Sequence, residues 1–263
     1  MTRPDFPGLL ADLAAEEAAL DHVVADLHEA AWSTPTPAEG WDVRDSVAHL
    51  AFTEDLARVA LTDEEKFARR LQTLIDAPDP SEVLVGGGRS MTGPAVLEWW
   101  REARTAALTQ LETHEPRDRL AWIAGPMSAM SFATARLMET WAHGQDVRDA
   151  LGREPEVTAR LRHVADLGVR TRPFAYRARG VELPDADVRV ELVGVDGDPW
   201  VWGPEAVEDV VRGPALDFCL VVTQRVNPAD TALQVQGPFA SDWLGIAQAF
   251  AGPATDHRPA RRA

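Results

Sequence analysis

Ser128-Ala-Met-Ser-Phe-Ala-Thr-Ala-Arg-Leu-Met-Glu-Thr-Trp-Ala-His-Gly-Gln-Asp-Val-Arg-Asp-Ala-Leu151, followed by Gly152, is the stretch on which the reading of this chain turns. It has no internal breaker apart from Gly144 and ends in the residue that commonly stops a helix, so it reads as one long helix. Phe132, Ala135, Ala142 and Asp146 share a side with Glu139 and His143, while Leu137 and Trp141 lie opposite. A helix that is apolar on both sides is buried on both sides, inside a bundle. Glu139 and His143 are four residues apart and therefore project together, one turn apart.

Upstream, the pattern is helical throughout. One helix is expected from about Asp5 to Ala31, with Leu10, Leu13, Leu20, Val24 and Leu27 near helical spacing. Ser33-Thr-Pro-Thr-Pro-Ala-Glu-Gly40 breaks it. A second stretch is expected from Val43 toward Ala77, interrupted at Thr62, where Thr62 and Glu65 form a capping-box pattern. Asp76 to Gly93, rich in Pro and Gly, is expected to be a loop, and a third long helix spans Pro94 to His114. Four long helices with short connections predict a bundle, a fold in which metal sites are built between facing helices.

Beyond Glu154 the period changes. A helix from Val157 to Tyr176 leads into Asp187–Val193, which alternates with period two, and Val195-Asp-Gly-Asp198 signals a hairpin turn before Trp200-Val-Trp202. Further strands are expected at Val207–Val211 and Ala232–Gln236, and helices at Pro214–Arg225 and Phe239–Ala251. The fold class is α+β: a helical bundle over residues 1–153, then a small α+β domain over 154–263 ending in a short basic tail. The boundary falls near residues 153 to 157.

Composition narrows the function. The 263 residues are 45% hydrophobic and 26% charged, as in an ordinary globular protein. Acidic residues number 42 against 26 basic, a net charge of −16, which repels nucleic acid and anionic membranes. His257-Arg258-Pro259-Ala260-Arg261-Arg262 is the only basic cluster and reads as a frayed tail. Cys219 is the sole cysteine, so a disulfide within the chain or a cysteine-built metal site is excluded, and a cytoplasmic location is expected. Cys219 lies among Phe218, Leu220 and Val221 and is expected to be buried. The start of the chain lacks the pattern of a signal peptide, and no apolar run approaches the roughly 18 residues of a membrane span. Gly86-Gly-Gly-Arg89 is not followed by Gly-Lys-Ser/Thr and fails as a phosphate loop.

With one imidazole from another helix, Glu139 and His143 would make two nitrogens and a carboxylate, the ligand set of a catalytic zinc. His49, in Val-Arg-Asp-Ser-Val-Ala-His49-Leu-Ala, is the candidate. Spacing alone equally fits a solvated face or an intrahelical hydrogen bond, and His49 taken singly fits a structural histidine.

Two longer stretches bear on that choice. Thr36-Pro-Ala-Glu-Gly-Trp-Asp-Val-Arg-Asp-Ser-Val-Ala-His-Leu-Ala51, followed by Glu139-Thr-Trp-Ala-His-Gly-Gln-Asp-Val147, resembles the metal-binding N-terminal domain of mycothiol-dependent maleylpyruvate isomerases, within the DinB-like four-helix bundles. Val210-Val-Arg-Gly-Pro-Ala-Leu-Asp-Phe-Cys-Leu-Val-Val-Thr-Gln-Arg225 resembles that family's sterol-carrier-like C-terminal domain. The resemblance implies that His49, Glu139 and His143 are metal ligands, for zinc or another divalent ion. It also implies mycothiol or a related low-molecular-weight thiol as cosubstrate and a small electrophilic molecule as substrate. A metal-held thiol loses its proton, so the sulfur would arrive on the cosubstrate. Asp45 and Asp146 are candidates to orient an imidazole through its second nitrogen, with surface or N-terminal acids as the alternative. Arg225 stands where the family often shows Gly-Arg, and the resemblance implies an arginine there that handles an acidic substrate. Here Gln224 precedes it, and an arginine that simply ends a helix is the other reading. Isomerase and thiol transferase both fit, as do a non-catalytic metal or ligand binder and a hydrolase using bound water.

Overall fold

The computed structural model describes residues 5–261. Contacts group the chain into two compact units, Met1–Glu156 and Val157–Ala263. The first is a helical bundle and the second mixes helices with a sheet, so the α+β architecture expected from the sequence is the one observed.

Helix α1 (Phe6–Val24) starts at Asp5, whose carboxylate accepts from the Gly8 N–H at 2.9 Å. It stops at Val24 and not at Ala31. The chain then makes a separate 3-10 turn, Glu29–Ser33, capped by the His28 imidazole, which accepts from the Ala31 N–H. Helix α2 (Val43–Thr62) opens with a reciprocal cap: the Asp45 N–H donates to Asp42 at 2.9 Å and the Asp42 N–H to Asp45 at 3.3 Å. Helix α3 (Glu64–Ile75) is capped by Asp63, which accepts from the Lys66 N–H. The expected Thr62–Glu65 box does not form, because the Thr62 hydroxyl donates backward to the Arg58 carbonyl at 2.8 Å.

A helix, α4 (Pro80–Arg89), occupies most of the expected loop from Asp76 to Gly93. Asp79 caps it through the Ser81 and Glu82 N–H groups, and Pro80 sits at the first position, where no N–H is needed. One of its three glycines, Gly88, is a packing device. A Cβ on Gly88 would lie 2.4 Å from the Ala48 Cβ, so only glycine lets α4 lie this close to α2.

Helix α5 (Gly93–Leu111) follows, then a short antiparallel hairpin of β1 (Arg119–Leu120) and β2 (Met127–Ser128). Helix α6 (Ala129–Ala150) is capped by Ser128, which accepts from the Ser131 N–H. Gly152, at φ +63°, closes it, and the Arg153 N–H reaches the Arg148 carbonyl at 2.9 Å. Helix α2 packs along α5 and against α4 and α6, while α1 packs on α6 and α5. Trp32, Trp100, Val47, Leu50, Val96 and Val147 fill the space between them.

In the second unit the expected Val157–Tyr176 helix is two shorter ones, α7 (Leu161–Arg170) and α8 (Arg172–Ala178), separated at Thr171 just before Pro173. Then come β3 (Arg189–Val193), β4 (Pro199–Trp202), β5 (Val210–Pro214), α9 (Ala215–Val222), β6 (Gln234–Gln236) and α10 (Pro238–Ile246). The strand order is β4-β3-β5-β6, with β3 parallel to β5 and the other pairs antiparallel. Strand β5 lies three residues later than expected; Asp209, just before it, accepts from the Arg189 N–H of β3 through its carbonyl and from the Ala240 N–H of α10 through its carboxylate, both at 2.9 Å. Val190, Leu192, Val211, Phe218, Cys219 and Val222 are buried in this unit. The described part of the basic tail is docked, not frayed. His257 meets the Leu244 carbonyl, Arg258 donates to the Arg225 carbonyl and the Arg261 N–H donates to Asp230; Arg262 lies outside the described residues. No helix among the described residues is long and apolar enough to cross a membrane.

Candidate metal centre

Helix α2 carries His49 two turns beyond its capped start, and α6 carries Glu139 and His143 at mid-length. Packing of α2 on α6 brings the three side chains to one place. One donor atom from each lies within 4.8 Å of the other two. The His143 Nε2 stands 3.4 Å from the Glu139 Oε2, and the His49 Nε2 stands 4.0 Å from the same oxygen. Both histidines are only 9% exposed. The second separation is too long for a hydrogen bond, so the three donors converge on a shared point more than on one another.

Electrostatics prepares the same set. Burial, with the neighbouring His143, pushes the His49 pKa down to about 4 against the pull of Glu139, so this imidazole is neutral at neutral pH. Burial alone would raise Glu139. The two facing imidazoles outweigh it and, with Arg136, hold the carboxyl well below its usual range, hence ionised. Two imidazole nitrogens and an anionic oxygen are the donor set a borderline divalent cation prefers. Donors about 2.0–2.1 Å from a tetrahedral ion stand about 3.3 Å apart, so the 3.4 Å pair fits as it stands and the 4.0 Å pair needs only a small side-chain shift. The residues present fit a metal ion.

The two acids beside the ligands are placed differently from each other. Asp45 is tied into the α2 cap and to Arg89, whose Nε donates to it at 3.1 Å. The Asp146 Oδ2 lies 3.6 Å from the His143 Nδ1, beyond hydrogen-bond length. Two features were not singled out from the sequence. Trp41 lies against both imidazoles, with ring centroids 5.2 Å from His49 and 5.7 Å from His143. A buried ion pair, Arg136 with Glu54 at 2.9 Å, lies one turn from the cluster on the same two helices, and Arg136 also donates to the Thr53 hydroxyl. The signal for the second was available: Arg136 precedes Glu139 by three residues and Thr53 follows His49 by four, both on the site-facing rows. Arg225 belongs to the second unit. Its guanidinium donates to the Thr223 carbonyl at 2.7 Å, at the end of α9.

A helical bundle with a two-histidine, one-carboxylate cluster, followed by a mixed α/β unit, defines the class: a DinB-like bundle joined to a sterol-carrier-like domain. The profile of the mycothiol maleylpyruvate isomerase N-terminal domain matches residues 13–148. The chain belongs to the mycothiol-dependent maleylpyruvate isomerase family. Two relatives from Mycobacterium tuberculosis, the uncharacterized proteins MT0041 (strain CDC 1551 / Oshkosh) and Rv0036c (strain ATCC 25618 / H37Rv), are each 43% identical over 251 residues, 94% of this chain and 97% of theirs. Crystal structures of the mycothiol-dependent maleylpyruvate isomerase and of a histidine-to-alanine mutant of it superpose with TM-scores of 0.61 and 0.60, covering 90% of this chain and 98% of theirs. At 13% identity that likeness is one of fold.

Proposed function

We propose that this protein is a metal-dependent enzyme that uses mycothiol or a related low-molecular-weight thiol on a small electrophilic substrate, as an isomerase or a thiol transferase. His49, Glu139 and His143 are its metal ligands and zinc its expected ion. The observation that carries the reading is the convergence of two imidazole nitrogens and one carboxylate oxygen within 4.8 Å at a largely buried point.

A bound divalent ion supplies the acidity that keeps a coordinated thiol as thiolate at neutral pH. The chain's part would be to present two imidazole nitrogens and one anionic oxygen, fewer donors than a tetrahedral ion takes. Its own sulfur is unsuited to the work: Cys219 is fully buried, burial raises its thiol well above the usual range, and its Sγ–H donates to the Leu161 carbonyl. A thiol brought by a cosubstrate fits that arrangement. The single buried cysteine also supports a cytoplasmic location.

For Arg225 the supporting observation is its predecessor. Gln224 takes φ +60°, the left-handed conformation that glycine favours, so the turn that leads into Arg225 keeps a glycine-like shape. Arg225 as the group that meets an acidic substrate predicts that Arg225→Ala raises KM while metal content stays unchanged. An unmoved KM would refute that role for Arg225.

The direct test is metal analysis of the purified protein and of His49→Ala, followed by a thiol titration of the cobalt-substituted protein. We expect about one equivalent of metal in the parent, loss of it in His49→Ala with the fold retained, and a cobalt spectrum that changes on adding thiol. Less than about half an equivalent with no gain on adding zinc sinks the ligand assignment. A spectrum indifferent to thiol removes the thiol chemistry.

A further inference from the structure

Histidines that ligate metals ordinarily donate their second ring N–H to a carboxylate or carbonyl, and that bond fixes which way the ring faces. Here the Nδ1 atoms of both His49 and His143 are buried without a hydrogen-bond partner. The two acids placed to serve them do not. Asp45 is held in the α2 cap and by Arg89, and Asp146 stays 3.6 Å from the His143 Nδ1. Ring contact is a second physical means of holding an imidazole in one orientation.

Trp41 is placed to do it. Its indole is stacked on the His143 ring, 23° from parallel at 5.7 Å, and tilted at 45° against the His49 ring at 5.2 Å; the two imidazoles are 4.5 Å apart. The three rings therefore close a triangle, with both Nε2 atoms turned to Glu139. Trp41 is itself held on three sides. Its N–H donates to the Ala38 carbonyl at 3.0 Å, and its carbonyl accepts from the Thr36 N–H and hydroxyl at 2.8 and 3.0 Å. Its indole N–H reaches the Ser81 hydroxyl of α4 at 3.4 Å. The turn that fixes Trp41 runs straight into Asp42, the cap of the helix that carries His49.

We propose that Trp41 is the positioning residue of the metal centre. By ring contact it sets the orientation of both imidazoles, the part that hydrogen bonds to the second nitrogen play elsewhere. This rests on His49, Glu139 and His143 being the ligands. An imidazole stripped of the indole is free to rotate its Nε2 away from Glu139, and losing two aromatic contacts is expected to weaken metal binding about 10- to 100-fold.

The test is cobalt titration of the full chain as wild type, Trp41→Ala and Trp41→Phe, reading affinity and the visible bands, together with ring-proton NMR of His49 and His143 in the metal-free protein. Expected are about tenfold or greater weakening with altered bands in Trp41→Ala, recovery of most of the affinity in Trp41→Phe, and unchanged far-UV circular dichroism. In the metal-free wild type the imidazole protons should be shifted upfield by the indole and return toward ordinary values in Trp41→Ala. Trp41→Leu, which keeps apolar bulk without a ring, gives the same readouts if Trp41→Ala does not fold. Equal affinity and identical bands in wild type and the ringless variant overturn the proposal. If the wild type binds no cobalt, the ligand reading falls on its own, and the metal-free ring protons then decide for or against Trp41.

Discussion

Glu17, on α1, is 4% exposed and lies near the buried Glu54 of α2. Burial first, then the Glu54 charge, push its pKa from 4.5 to about 8 against the pull of Arg104 and Arg136. In the unfolded chain this carboxyl ionises near 4.5, so between 4.5 and 8 folding takes up a proton. The stability this group contributes is whole below pH 4.5 and is lost as pH rises toward 8. Glu17→Gln keeps the shape and removes the proton. At about 1.4 kcal/mol per pH unit, the variant gains about 1 kcal/mol on the parent at pH 5 and about 4 kcal/mol at pH 7.5. Any fixed difference between an amide and a protonated acid is the same at both, so the gap of about 3 kcal/mol is the signature. Local relaxation around an ionised Glu17 makes that figure a ceiling. Urea denaturation of the full chain in chelator, followed by far-UV circular dichroism at the two pH values, reads it. A gain that is equal at both pH values refutes the reasoning.

The ion pair next to it gives a second expectation. With both side chains 2% exposed, Arg136→Met strands a buried Glu54 and should cost about 3–5 kcal/mol. Arg136→Met combined with Glu54→Leu should recover much of that loss in a double-mutant cycle, and strictly additive losses would contradict the pairing. At the α2–α4 contact, Gly88→Ala places a Cβ where the Ala48 Cβ already stands, with an expected cost of about 1–3 kcal/mol in denaturation and a weakened Trp41–Ser81 contact. A neutral outcome would mean that α4 does not lie on α2 as described.

What the sequence disclosed follows from how local each determinant is. Helix α6 was legible because its start at Ser128, its apolar sides and its Gly152 stop all lie within its own stretch. Helix α4 was not. Pro80 and the three glycines read as breakers, and the actual uses of Pro80 and Gly88, a first-turn proline and a close approach to Ala48, depend on a cap and on a partner helix. The early end of α1 was hidden because His28, not a usual cap residue, starts the next turn. The Glu139/His143 pair was visible as helical spacing, but spacing cannot say which helix supplies the third donor. His49 came from the surrounding motif, and its approach to Glu139 depends on α2 packing against α6. Trp41 stood in that motif without a role, since ring contacts from a turn leave no periodic trace.

The buried Arg136 also explains how two helices can hold donors at fixed separations. The Thr53 hydroxyl donates to the His49 carbonyl at 2.9 Å and accepts from Arg136 at 3.2 Å. Arg136 in turn binds Glu54 and stands one turn before Glu139 on α6. This chain of bonds runs from the backbone of one donor residue to the helix that carries the other two. A hydrophobic contact at the same place would stabilise the bundle comparably, as replacements of buried ion pairs by apolar residues indicate, but it would tolerate sliding. Directional bonds do not. With Trp41 fixing how the rings face and the Arg136–Glu54–Thr53 network fixing how α2 lies on α6, orientation and spacing of the donors are set by different residues. Substitutions at the two places should therefore weaken the site in separable ways: through ring geometry at Trp41, and through bundle stability at Arg136.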